Sequence, residues 1–331
     1  MSEWLEARRK HIAASDAASI LGVGFSTPFQ VWLEKTGQSV GKDLGANERV
    51  YWGNRHEPVI IQELALRTGR KLLPPDAWRS AMQCDVHLLD HAGQRKALCV
   101  SKPFPLFSAT PDFAVAAWTR LEGLDEQTEF AGPGCGEAKT AGAEQRSTWD
   151  AGVPLKYQVQ TQMQMLVTGL QWTCVPVLIG GNDFRIYDVA RNEEFCQSVT
   201  QRLLDWHREH VVLGVPPAVT EDDDDAIRSI FNKSNGKTIM LPATFAELDR
   251  KLERWKAREK RAKSQVKLFS NTMKVAIGEN EFATIDGTTV QYSYPLIERR
   301  EYTVPAGEYR RLDRSELKRA ASPDAAARKR K

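Results

Sequence analysis

The chain has 331 residues, 41% of them hydrophobic and 8% aromatic, enough for one large core or a main domain with an appendage. No apolar run approaches the roughly 18 to 20 residues a membrane helix needs. Met1-Ser2-Glu3-Trp4 lacks the basic-then-apolar pattern of a secretory signal, so a soluble intracellular protein without membrane contact is expected. The net charge of +3 conceals a balance of −8 over residues 1–225 and +11 over residues 226–331, and a basic C-terminal third suits a polyanionic partner.

Taken in chain order, Leu5 to Leu21 reads as a helix ended by Gly22-Val23-Gly24. Pro28 opens a second helix to Gly37, and a third spans Glu48 to Thr68 with Gly69 as its stop. The period then changes: Ala97–Val100, Phe107–Thr110, Phe113–Ala116 and Cys135–Thr140 are short apolar stretches bounded by turn residues, as strands are. Pro154 to Gly169 returns to a helix. Trp172–Ile179 and Asp183–Val189 read as a strand pair around Gly180-Gly181-Asn182, and Glu193 to Val212 as a long closing helix. The core is expected to span residues 1–217, with a charged appendage over 218–331. That appendage holds an acidic solvated run (Glu221–Asp225), a charged helix from Phe245 to Leu268, a hairpin about Asp286-Gly287 within Glu281–Tyr302, and a basic disordered tail after Ser322.

Three features carry chemistry. Glu57 lies in the third helix, Asp112 in Thr110-Pro111-Asp112, and Glu137-Ala138-Lys139 on a strand. Strand side chains alternate, so Glu137 and Lys139 leave the same face. With Asp112 beside that strand, two carboxylates converge on one hard divalent cation, and magnesium accepts few protein ligands because it keeps several waters. Lys139 then orients or deprotonates an attacking water, or stabilises charge on a phosphate. Five scattered cysteines without a C-x-x-C pair argue against a disulfide framework and a cysteine-rich zinc or iron–sulfur site. His87/His91 and His207/His210 have metal-like spacing but no third ligand, and Trp32, Trp52 and Trp149 read as core.

In order along the chain stand Arg8-Arg9-Lys10-His11 with Ser15-Asp16, Trp32-Leu33-Glu34-Lys35-Thr36-Gly37, and Trp52-Gly53-Asn54-Arg55-His56-Glu57-Pro58. They are followed by Ala109-Thr110-Pro111-Asp112, Gly136-Glu137-Ala138-Lys139-Thr140, Tyr157-Gln158-Val159-Gln160-Thr161-Gln162 and Val167-Thr168-Gly169. This series, over residues 4–190, resembles the lambda-type (YqaJ-like) viral exonucleases of the PD-(D/E)XK nuclease superfamily. The resemblance implies an α/β, restriction-endonuclease-like core with a central mixed sheet flanked by helices.

It also implies roles. Asp112, Glu137 and the Ala138 carbonyl are the expected metal ligands, and Lys139 the catalytic lysine. Glu57 is the expected helix-borne acid for a second metal or a metal-bound water. Gln160 is the catalytic-helix glutamine, with Gln162 the fallback if the register slips by two, and Arg8 and Ser15 hold a terminal 5′-phosphate. The implied activity is magnesium-dependent 5′ to 3′ digestion of double-stranded DNA, with one or two Mg2+ ions and Mn2+ as a substitute. A homotrimeric ring, a single-strand annealing recombinase as partner, and a bacterial or phage-infected cytoplasm complete the implied picture. The rival readings are a structure- or site-specific endonuclease with the same core, and a DNA-binding protein with a decayed site. The intact Asp112, Glu137 and Lys139 argue against decay.

Overall fold

The computed structural model describes residues 3–39, 47–91, 94–116 and 132–297, and its contacts divide the chain into two units, Met1–Phe231 and Asn232–Lys331. In the first unit, helix α1 (Glu3–Arg9) is followed by a two-residue strand, β1 (Ile12–Ala13), and helix α2 (Ala14–Ile20). One continuous helix was expected here. It is broken because Ile12 and Ala13 pair in parallel with Phe107 and Ser108, and because the Asp16 carboxylate accepts from the Ala13 N–H at 3.0 Å, capping a new helix. Helix α3 (Pro28–Lys35) starts at an N-capping Thr27, and α4 (Glu48–Thr68) ends at Gly69, whose φ of 68° is the left-handed stop expected of a glycine after a helix.

Two mixed sheets follow. Strands β3 (Cys84–His91) and β4 (Gln94–Ser101) form a hairpin, and β5 (Phe107–Ala109) joins it to β1 in the order β1-β5-β4-β3. The second sheet runs β10-β9-β7-β6-β2, from strands β2 (Leu72–Leu73), β6 (Phe113–Val115), β7 (Gly134–Gly136), β9 (Trp172–Ile179) and β10 (Asp183–Ala190); β8 (Lys139–Ala141) also pairs with β9. The α/β class with mixed sheets flanked by helices is thus as the sequence indicates. His87 belongs to strand β3, where Cys84 and Val86 turn inward and Asp85 and His87 outward, so the helical spacing read into His87 and His91 does not exist. The chain passes from one sheet to the other at Thr110-Pro111-Asp112, which places Asp112 at the crossing.

Helices α5 (Trp78–Ala81), α6 (Arg146–Asp150), α7 (Leu155–Thr168) and α8 (Glu193–Trp206) also belong to this unit, the last running on through a π-helical turn to Val212. Helix α7 packs on α2 and both sheets, with Val159, Met163, Met165 and Val167 at most 2% exposed. Trp32 and Trp149 are buried as expected; Trp52 is 54% exposed and is not core. Behind the second sheet Arg70 and Asp188, both fully buried, form a two-pronged ion pair at 2.8 and 2.5 Å.

Four acids of the run, Glu221, Asp222, Asp224 and Asp225, are exposed as expected, but the run is not a linker. It forms a turn leading into α9 (Asp224–Ile230), and Asp223 is fully buried: it caps the Thr220 N–H at 2.7 Å and accepts from the Thr27 hydroxyl at 2.5 Å. It therefore pins this turn to the start of α3, inside the first unit. In the second unit, α10 (Phe245–Ile277) runs nine residues beyond the expected Leu268, and β11 (Phe282–Thr284) pairs with β12 (Gln291–Ser293) around Asp286-Gly287. The remainder of the expected hairpin to Tyr302 and the basic tail lie outside the described residues.

Candidate functional site

The expected continuous strand over Cys135–Thr140 is interrupted at Glu137 and Ala138, between β7 and β8. Gly136 enables what surrounds the break: a Cβ there would meet the Phe113 ring at 2.0 Å. Its bareness lets β6 and β7 approach, so the Asp112 N–H reaches the Gly136 carbonyl at 3.0 Å. The Ala138 N–H then donates to Asp112 Oδ2 at 2.9 Å, and the Glu137 N–H to the Cys174 carbonyl at 3.0 Å. Two sequence-distant carboxylates are thus fixed by backbone bonds to one strand break.

Glu137 is 5% exposed and strongly held. Lys139 Nζ donates to its Oε1 at 2.5 Å, Gln160 Nε2 to the same oxygen at 2.6 Å, and Gln164 Nε2 to Oε2 at 2.5 Å. Bonds to a charged acceptor are about twice as strong as neutral ones, so these three fix the carboxylate's orientation. Gln164, which the sequence reading missed, carries the signal of standing four residues after Gln160 on one helical face. Gln162 faces elsewhere: it donates to the Ala190 carbonyl at 2.7 Å and accepts from the Asn192 N–H at 2.8 Å.

Glu57 is on α4, whose residues contact β8, and its carboxylate pairs with Lys96 Nζ at 3.2 Å. Among the described residues no group of three or more His, Cys, Asp or Glu side chains is placed to hold a metal ion, so Glu57 is not drawn into a three-carboxylate cluster. Its charge is still felt. Burial, then Glu137, then Glu57 push the Asp112 carboxyl well above the usual range, against the opposing pull of Lys139 and Lys96. Burial works to lower the Lys139 ammonium, but the charges of Glu137 and Asp112 outweigh it and raise it. Lys139 is therefore a cation at neutral pH, which suits stabilising negative charge better than taking a proton.

Glu137 is buried and Asp112 and Glu57 are half-buried, and the charges of the two glutamates add to burial in raising Asp112. The available donors are carboxylate oxygens of Asp112 and Glu137, with the Ala138 carbonyl between Glu137 and Lys139 in sequence. Such a set of hard oxygens fits a magnesium-like cation that retains water ligands.

Lys139 and Gln160 also line a cavity of about 240 Å3, together with Ser15, Tyr157 and Lys156 among others. Ser15 accepts from Arg8 Nη2 at 2.5 Å, and Arg8 also reaches Asp16 at 3.4 Å. Asp16 is bound more closely by Lys35, at 2.6 Å. Lys139 Nζ stands 4.8 Å from the Tyr157 ring centre, and Tyr157 stacks on Trp149 at 5.7 Å, so the lysine is supported from beneath by an aromatic pair. Sequence reading placed Arg8 and Ser15 together, and they are together; it did not anticipate Tyr157 or Lys156 beside them.

The arrangement defines a class: an α/β core in which Asp112, Glu137, a charged lysine and two glutamines cluster at a strand break, with Lys139 and Gln160 of that cluster lining a cavity that Ser15 also lines. The chain belongs to the YqaJ-like viral recombinase domain family, whose pattern matches residues 3–171 and so covers every residue of this site. It is 27% identical over 292 residues to the uncharacterised protein YqaJ of Bacillus subtilis strain 168, spanning 86% of this chain and 80% of that protein. Among solved structures it is similar to an alkaline exonuclease from Laribacter hongkongensis (LHK-Exo), with 18% identity, a TM-score of 0.41, and coverage of 62% of this chain and 91% of the other. The same exonuclease in complex with dAMP gives 17%, 0.44, 69% and 98%. No helix among the described residues is long and apolar enough to cross a membrane.

Proposed function

We propose that this chain is a divalent-metal-dependent deoxyribonuclease that digests duplex DNA from 5′-phosphorylated ends, 5′ to 3′, leaving 3′ single strands. The observation that carries the reading is a cavity bordered by both Lys139 and Ser15, with Arg8 bonded to Ser15. A guanidinium and a hydroxyl suit a terminal phosphate, while the carboxylate–lysine group suits hydrolysis of a phosphodiester nearby. Membership of a viral recombinase family favours DNA as the substrate.

Asp112, Glu137 and the Ala138 carbonyl are the groups that would hold magnesium, with manganese as a substitute. When bound, the ion lowers the pKa of a coordinated water and offsets charge on the phosphate. Water attacks phosphorus, the phosphorus–O3′ bond breaks, and the 5′-terminal nucleotide leaves. Lys139, as an ammonium, donates to a phosphate oxygen as negative charge grows there. Gln160 and Gln164 keep Glu137 from rotating, and Glu57 with Lys96 sets the field at Asp112. A homotrimeric ring around DNA, and an annealing recombinase that receives the single strand, belong to the same proposal.

The test is digestion of linear duplexes carrying a 5′-phosphate or a 5′-hydroxyl, and of covalently closed circles, with magnesium and with Asp112→Ala as control. The reading requires loss of one strand from phosphorylated ends, with circles untouched. Nicked circles would point instead to an endonuclease, and no metal-dependent cutting to a binding protein.

A further inference from the structure

Helix α10 (Phe245–Ile277) carries a pattern that the proposed nuclease does not use. Phe245, Leu248, Leu252 and Trp255 follow one another at alternating steps of three and four. After Glu259 the same steps continue through Ala262, Val266, Phe269, Met273 and Ala276. With Phe245 at position a of a heptad, every one of these is an a or d residue, and Glu259 is the single polar member. A helix packing on its own domain follows the 3.6-residue turn and drifts about 20° per heptad from a strict repeat. Over five heptads that drift would reach about 100°. A repeat kept in step for so long is the seam of a left-handed coiled coil.

The seam is open. Leu248 is 58% exposed, Trp255 63%, Val266 64% and Phe269 63%. Among the described residues it is touched at Trp255, whose ring lies 4.7 Å from the Arg258 guanidinium, and toward its end, where Met273 is half-buried and Lys274 lies 5.7 Å from the Tyr294 ring.

The flanking e and g positions say what the seam takes. As far as Lys263 they hold Lys251, Lys256, Arg258 and Lys263, with Asp249 the one acid; beyond it stand the uncharged Gln265, Ser270, Thr272 and Ile277. In a parallel pair of two copies, each g residue meets the e residue of the next heptad, which sets Lys251 against Lys256 and Arg258 against Lys263. An antiparallel pair centred on the seam sets Lys256 against Lys263. The acids that pair with these lysines within the helix, Glu247 at 2.8 Å, Glu253 at 3.0 Å and Glu259 at 2.5 Å, are exposed, and such pairs contribute little. Residues beyond 297 carry eleven Lys and Arg against six acids, so in sequence the chain's own tail is a poorer match to these lysines than an acidic helix. Nucleic acid fits the lysines but not the stripe between them, because leucine, tryptophan, valine and phenylalanine offer phosphate no donor.

We propose that the α10 seam docks a helix of a partner protein whose own apolar heptad seam is flanked by glutamate or aspartate. A lysine, arginine or asparagine of that helix meets Glu259 and fixes the register, as single polar a residues do.

The test uses the full chain and a labelled five-heptad synthetic peptide with isoleucine at a, leucine at d, one central asparagine at a, and glutamate at e and g. The control peptide carries lysine at e and g. Fluorescence anisotropy should give one-to-one binding of the glutamate peptide, weakening roughly tenfold or more as salt rises from about 50 mM to about 500 mM. Leu252→Glu should weaken it about a hundredfold; Val266→Lys serves as a second seam variant, and circular dichroism checks that both remain folded. Failure to bind, equal binding of both peptides, or indifference to both seam variants would overturn the proposal. So would a doubling of the chain's own mass in sedimentation that the variants abolish, which would assign the seam to a second copy. Loss of duplex DNA affinity in the variants would assign it to nucleic acid.

Discussion

Replacing Gln164 by leucine separates the chemistry of the site from its packing. Gln164 is fully buried, and its Nε2 donates to Glu137 Oε2 at 2.5 Å. Loss of a hydrogen bond to a charged acceptor costs about 1.5–3 kcal/mol. On the other end of the same amide, Oε1 has no hydrogen-bond partner among the described residues. Leucine removes that buried unsatisfied acceptor, which recovers about 1–3 kcal/mol. The two effects nearly cancel in the folding balance, so the denaturation midpoint should hardly move.

They do not cancel in the site. Glu137 loses one of the three donors that orient it, while Gln160 and Lys139 remain on the other oxygen. Removing a group that orients a metal-binding carboxylate costs about 10–100-fold in metal affinity or activity. The assay is magnesium titration of the digestion of a 5′-phosphorylated duplex, run beside urea unfolding of the same two proteins. The half-saturating magnesium concentration should rise by about 10–100-fold, with unfolding unchanged. An unchanged metal midpoint in a folded variant would refute the orienting role. A large fall in stability would show that Gln164 is there for packing.

Lys139→Ala should lower cleavage by about 100-fold or more while leaving duplex affinity intact by gel shift; an active variant would remove Lys139 from the chemistry. Arg8→Ala should slow digestion of 5′-phosphorylated ends and leave 5′-hydroxyl ends unaffected, and equal loss on both would count against the phosphate pocket. Asp16 is pushed up by burial but pulled down further by Lys35 and Arg8, so its folded pKa lies below the usual value. Its stabilisation is then full above the unfolded carboxylate pKa of about 4 and fades as pH falls through the lower folded value. Asp16→Asn should therefore melt below the wild type at neutral pH, and the gap should close on acidification. Asp188→Ala leaves the buried Arg70 guanidinium without its carboxylate, at about 3–5 kcal/mol in urea unfolding, whereas Arg70→Met with Asp188→Leu should cost far less.

What could be read from the sequence were the elements whose cause is local. Helices α4 and α7 announce themselves by period and by Gly69 and Gly169, both left-handed stops, and the β9–β10 pair by its apolar runs around Gly180-Gly181. Elements made by distant partners could not be read so easily. Strand β1 is two residues held by Phe107 and Ser108, some ninety-five positions away, and without them Leu5–Leu21 looks like one helix. Asp223 looks like one of several solvated acids until Thr27 is brought beside it. The carboxylate–lysine group was read from Glu137 and Lys139 two apart on one short stretch, from Asp112 in its turn, and above all from the ordered motifs around them. The pairing of Glu57 with Lys96 was not, because it depends on how α4 lies against the first sheet.

The glutamines of α7 show where local reasoning reaches further than it was taken. They stand at 158, 160, 162 and 164, every second residue of a helix that turns about 100° per residue. Residues two apart point about 160° away from each other, and residues four apart nearly coincide. The series is therefore two pairs on opposite faces. Gln158 and Gln162 reach backbone carbonyls of Val153 and Ala190, while Gln160 and Gln164 reach the two oxygens of Glu137. A slip of two, from Gln160 to Gln162, is a move to the other side of the helix, so the two were never interchangeable. Periodicity alone says that whichever glutamine serves the site, its partner at four residues' distance serves it too. Only the position of Glu137, fixed by the strand break between β7 and β8, decides which pair that is.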